Sequence, residues 1–94
     1  MWKMKPQAEG ADGATNARKV KELLDSCRDL VPGMIEWDVA LAQPGLEATY
    51  DVVLYSVFAD KAALDAYQHH PHHVAMKPFI GAVRVERQCM DWQT

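Results

Sequence analysis

Apolar positions along the chain change their spacing repeatedly, and each change marks an element. Trp2 and Met4 alternate with Lys3 and Lys5, the period of a strand, over Met1–Lys5. Pro6 stops it, and Gln7 to Gly13 is a polar, small-residue loop containing Gly10 and Gly13. Thr15 or Asn16 then suits an N-cap. Ala17, Val20, Leu23, Leu24, Cys27 and Leu30 recur at spacings of three and four, one face of an amphipathic helix. Pro32-Gly33 ends it. Over Met34–Leu41 the period returns to two: Ile35, Trp37, Val39 and Leu41 point one way and Met34, Glu36, Asp38 and Ala40 the other.

Gln43-Pro44-Gly45 is a turn signal. Thr49–Phe58 is rich in β-branched and aromatic residues and apolar on both faces from Val52 onward, as a central strand covered on both sides would be. A short loop joins it to the preceding strand, so the two should form an antiparallel hairpin. Asp60 suits the N-cap of a second helix whose stripe is Ala63, Leu64 and Tyr67. That helix should end near His70, because the residue before a proline is pushed out of the α region. Pro71 fits the first turn of a further short helix, with Val74, Met76, Phe79 and Ile80 facing inward and Pro78 limiting its length. Gly81 opens a turn, and Val83–Trp92 is the last strand, with Val85 and Cys89 on one face.

The order is β-α-β-β-α-β, and the crossover rule leaves few topologies for it beyond the ferredoxin-like plan. The expected fold is α+β: a four-stranded antiparallel sheet with helices on one face, in a single domain over 1–94. Its other face keeps large apolar residues, and such a face marks an interface. The expected partner is a second copy, sheet facing sheet. A 94-residue domain buries only about 60–65% of its unfolded surface, so a partner would help it.

Composition narrows the function. Ten basic residues against thirteen acidic give a net charge of −3 with neutral histidines, which does not supply the basic patch of a nucleic-acid partner. No apolar run approaches the ~20 residues that span a bilayer. Met1–Pro6 lacks the apolar core of a signal peptide, so the expected compartment is the cytoplasm and no membrane partner is expected. Cys27 and Cys89 lie far apart in apolar patterns and read as reduced core or half-buried thiols.

All four histidines fall within His69–His73, with Pro71 in their middle and Tyr67 just before. On an unbroken helix His69 and His73 would share a face, as metal ligands do, but Pro71 interrupts it and no Cys or carboxylate stands at ligand spacing. No metal or other cofactor is expected. Two readings remain open. His70 and His73 can fix the kink by bonding backbone groups freed at Pro71. Alternatively, His73 is a general base, with Tyr67 orienting a carbonyl oxygen for proton abstraction α to it. His70, Val74, Phe79 and Trp37 would then line the ligand pocket. Arg84 and Arg87 are candidate grips for a carboxylate, or else a solvated strand face or an intersubunit ion pair.

Tyr50-Asp51-Val52-Val53-Leu54-Tyr55-Ser56-Val57-Phe58-Ala59-Asp60, then Ala63-Leu64-Asp65-Ala66-Tyr67-Gln68 and His70-Pro71-His72-His73-Val74, resembles the stress-responsive α/β-barrel (Dabb) family. That pattern is a Tyr-Asp-hydrophobic strand, an acidic helix start, an Ala-Tyr pair and His-Pro-x-His. Trp2–Pro6 and Met90-Asp91-Trp92 resemble the family's first and closing strands. The resemblance implies a dimeric α/β barrel of ferredoxin-like subunits, each with a small apolar cavity between sheet and helices. Most bacterial members have no assigned reaction. A plant member is a polyketide cyclase performing an aldol condensation, and its motif implies a catalytic role at His73 and a pocket role at Tyr67. The cyclase's other catalytic histidine would fall before Met1, and the Ala42–Thr49 loop is shorter than in many members. The expectation is a homodimer binding a small apolar or aromatic molecule, with cofactor-free cyclase or lyase chemistry. The alternatives are a cofactor-free monooxygenase of the related dimeric ferredoxin-like kind, or a non-catalytic structural stress protein.

Overall fold

The computed structural model describes all residues, Met1–Thr94. Its elements are β1 (Trp2–Met4), β2 (Gln7–Ala8), β3 (Ala11–Asp12), α1 (Gly13–Asp25), β4 (Met34–Leu41), β5 (Val52–Phe58), α2 (Lys61–His69), α3 (Pro71–Val83) and β6 (Arg84–Arg87). The main sheet has the order β4-β5-β1-β6, with every neighbouring pair antiparallel. Helices cover one face. This is the ferredoxin-like α+β fold expected from the hydrophobic pattern. No helix is long and apolar enough to cross a membrane.

The core is the layer between sheet and helices. Trp2 and Met4 of β1, Trp37 and Val39 of β4 and Val52 of β5 meet Val20 and Leu24 of α1, Cys27 just beyond it, Tyr67 of α2, and Met76, Ile80 and Val83 of α3. Cross-strand pairs share a face, so register sorts the rest of the sheet. Trp37↔Ser56, Val39↔Leu54 and Leu41↔Val52 point to the helices, whereas Glu36↔Val57, Asp38↔Tyr55 and Ala40↔Val53 point away.

The β4–β5 pairing slips by one residue between Met34 and Glu36. This bulge turns Met34 toward the core and leaves Ile35, expected to share the face of Trp37, 63% exposed. The outer face thus carries Ile35, Val53, Tyr55 and Val57 with no helix over them.

Several boundaries differ from the hydrophobic pattern for local reasons. Gln7–Asp12 is a two-stranded hairpin, turned by Glu9 and Gly10 at positive φ (50° and 74°). The N-cap of α1 is Asp12, whose carboxylate accepts from Thr15 N at 2.8 Å, rather than Thr15 or Asn16. Asn16 is instead fully buried, and its amide donates to Ala8 O at 2.9 Å, tying the hairpin to α1. Strand β5 starts at Val52, because the Asp51 carboxylate has turned to accept from Met4 N at 2.7 Å.

Helix α3 runs on through Pro78 and Gly81 to Val83, well past the stop those residues signal. Met76, Ile80 and Val83 form a buried stripe at spacings of four and three. Their packing offsets the one hydrogen bond that Pro78 removes from the Val74 carbonyl, and Val74 is solvent-facing. Val74 was expected inward; at 46% exposed it is not. The last strand is four residues long rather than running to Trp92. Cys89, Met90 and Trp92 follow it as an exposed tail, so Cys89 is no core thiol.

Gly33 sits at φ 90°, just before β4, and a Cβ there would lie 2.8 Å from Ala63 Cβ of α2. Gly45 has a similar φ of 84° with open space around it. Gly33→Ala should therefore lower the urea-unfolding free energy by about 2–3 kcal/mol and Gly45→Ala by only about 1 kcal/mol. Equal losses would show that backbone strain alone, and not the approach of α2, fixes a glycine at position 33.

Candidate functional site

The site begins with one steric rule. His70 precedes Pro71 and takes an extended conformation (φ −63°, ψ 135°), so α2 stops and α3 starts afresh. Two histidines repair the break. His70 Nδ1 accepts from His72 N at 3.1 Å and caps α3. The Gln68 carbonyl, which the break leaves without a helical donor, lies 3.0 Å from His73 Nδ1. A carbonyl only accepts, so His73 carries its proton on Nδ1 and holds a lone pair on Nε2.

His73 is half-buried, and its ring lies 4.4 Å from that of Tyr67. Burial holds its pKa below the ordinary histidine value; the bond to Gln68 opposes this, while the positive charges of Lys77 and Arg87 lower it further. Arg87 pairs with Trp2 across the sheet, which puts it on the helix side. His73 is thus a neutral imidazole at pH 7 with one free basic nitrogen.

The other histidines point elsewhere. His69 Nδ1 donates to Asp65 O at 2.8 Å, by the same donor logic. His72 Nε2 lies 2.7 Å from Ser26 Oγ, whose own proton goes to Leu23 O. His72 therefore donates, and it pins α3 to the end of α1. With four different partners the histidines gather no common centre, and no group of three or more His, Cys, Asp or Glu stands at metal-holding distance.

Tyr67 is 5% exposed and forms the hub of an aromatic group. Trp37 meets it edge-on at 5.3 Å and Phe58 at 5.5 Å. Its hydroxyl lies beside the buried Cys27 thiol, and burial pushes the pKa of both groups up. The structure therefore brings Tyr67 and His73 together and buries the phenol in the core. Trp37, expected to line a pocket, is enclosed: its indole N–H donates to Leu24 O at 3.0 Å and caps the end of α1. Phe79 is partly buried against the core, Val74 faces solvent, and His70 serves as a cap. Two clefts, of about 400 and 200 Å³, lie near the β4–β5 connection, and neither is lined by His73 or Tyr67. The partners Gln68 and Ser26 carried no signal in the sequence, since each acts through a single bond made by the fold.

The family model of the stress-responsive A/B barrel domain matches residues 1–94. The chain belongs to this family. No protein of curated function matches this barrel-domain chain. Among solved structures it is similar to a dimeric protein of unknown function and ferredoxin-like fold from Bacteroides fragilis NCTC 9343. The two share 22% identity and a TM-score of 0.76, over 99% of this chain and 89% of that one. The likeness carries the barrel-domain fold and leaves the chemistry to the residues themselves.

The lowered pKa of His73 has a stability consequence of fixed sign. Between its folded value and the ordinary value near ~6.5 the unfolded chain binds more protons than the folded one. The stabilisation is present above that ordinary value and is lost as pH falls through the window toward the folded pKa. His73→Gln should flatten the denaturation profile of the barrel domain as pH falls below about 6.5. An unchanged pH dependence would show that His73 is as free to protonate in the fold as in water.

Proposed function

We propose that this barrel-domain protein is a homodimeric, cofactor-free small-molecule-binding protein in which His73 Nε2 is the proton acceptor. The observation that carries this is the bond from His73 Nδ1 to Gln68 O. It fixes the ring in one tautomer, while burial keeps the ring neutral, and a basic nitrogen is left at the edge of an apolar aromatic group. A ligand with an acidic C–H beside a carbonyl, on a small apolar or aromatic body, suits such a nitrogen. The chemistry is a proton transfer of the cyclase or lyase kind. Arg87, on the same side of the sheet, would meet developing negative charge. The cytoplasm suits a chain whose two thiols are free.

The homodimer rests on the outer face of the sheet. Ile35, Val53, Tyr55 and Val85 are between 37% and 63% exposed there and along β6, on a domain too small to leave them so without cost. The similar protein from Bacteroides fragilis is a dimer. Light scattering should give twice the 10.6 kDa chain mass. Tyr55→Lys should give one chain mass with the fold intact, because the new ammonium would stand opposite Asp38 within the sheet and against an apolar partner face outside it. A single-chain mass for the unaltered protein removes the dimer.

One observation favours a second reading, a structural barrel without turnover: Tyr67, Trp37 and Phe58 fill the space beneath His73. The two separate in native mass spectrometry of freshly purified protein. The binding reading expects a co-purified small molecule that His73→Ala loses while the dimer persists. Bare protein, together with identical ligand screens for both chains, leaves the structural one.

A further inference from the structure

We propose that the cleft between the end of β1, the start of α1 and the β4–β5 connection is a separate binding site for a small amphipathic anion, an apolar body carrying one carboxylate. The cleft holds about 400 Å³, within the range of small-ligand sites. Met4, Pro6, Ala17 and Leu41 give it an apolar lining. Gly13 sets its floor: α1 starts so close to β1 that a Cβ there would meet Lys5 O at 2.9 Å.

Charge selects the ligand. Lys5 and Arg18 both line the cleft, and neither has an ion-pair partner; the two ion pairs of the chain are Lys21–Asp25 and Lys61–Asp65. Arg18 gives one N–H to Thr15 Oγ1 at 3.2 Å and keeps the rest of its fork free. Two carboxylates oppose them and keep their charge: Asp51, in the lining itself, which accepts from Met4 N, and Asp12, which accepts from Thr15 N as the helix cap. The first turn of a thirteen-residue helix adds its positive end at Ala14. A chain of net charge −3 thus presents a cleft whose lining holds two cations, Lys5 and Arg18, against one carboxylate, Asp51. The lining residue Leu41 pairs with Val52 on the helix side of the sheet, so a dimer through the outer face leaves the cleft open. His73 lies outside it, and the two sites are independent.

The probes are 2-naphthoate and its neutral counterpart 2-naphthylmethanol, titrated into the full chain at constant ionic strength and followed by ¹H–¹⁵N correlation spectra. Naphthoate should shift Gly13, Ala14, Arg18 and Ala42, and bind about tenfold more tightly than the alcohol. Arg18→Gln should erase most of that preference, with Lys5→Gln adding to the loss. Ala14→Leu, at an exposed position on the rim, should block both probes without unfolding the helix. Shifts confined to the neighbourhood of His73, equal affinity for the two probes, or no shifts at millimolar naphthoate would each overturn the proposal. The first of these would leave the His73 site standing.

Discussion

The peptide unit before Pro71 is the constraint on which the candidate site depends. Pro71 bars His70 from the α region, and an apolar segment that would otherwise run as one helix becomes two. The break releases backbone groups that a continuous helix would have paired. His70 and His73 take them up, each with one ring nitrogen. What looks like a histidine cluster is thus a repaired joint. Each of the four rings bonds a different group, and no three of them gather at metal-holding distance.

A second constraint is the register of the sheet. Side chains alternate, so a slip of one residue exchanges the two faces. The bulge at Ile35 uses this: it keeps Trp37 and Val39 inward while adding Ile35 to the outer face. Trp37 then reaches Leu24 O and Tyr67 together, joining the end of α1 to α2 through one side chain. The same aromatic contact that closes the core removes Tyr67 from solvent. Packing and chemistry compete for that residue, and packing holds the phenol.

The fold was legible in the sequence because it rests on periodicity. Alternation in β4, the β-branched and aromatic run of β5, the helical stripes, the Asp60 cap and the His70–Pro71 stop each have a local cause. The errors have non-local causes. Helix α3 passes Pro78 because Met76, Ile80 and Val83 find a core that lies far away in sequence. The bulge at Ile35 depends on a partner strand, and Asp12 replaces Thr15 as cap because a hairpin delivers it there. The His70–Pro71 pair marked the helix break, but not which side-chain atoms around it face inward. Whether Trp37 lines a pocket or closes a core turns on contacts across three elements, and spacing holds no record of those.

The structural and chemical roles of His73 are less opposed than they first look. A histidine that only secured the kink would need its Nδ1–H and nothing more. A histidine that only served as a base would need its Nε2 and some group to fix the tautomer. The Gln68 carbonyl meets both needs with one bond. Removing the ring therefore disturbs the joint and the proposed base together. A side chain that restores a donor to Gln68 without a second basic nitrogen separates them, because it repairs the fold and leaves the chemistry absent.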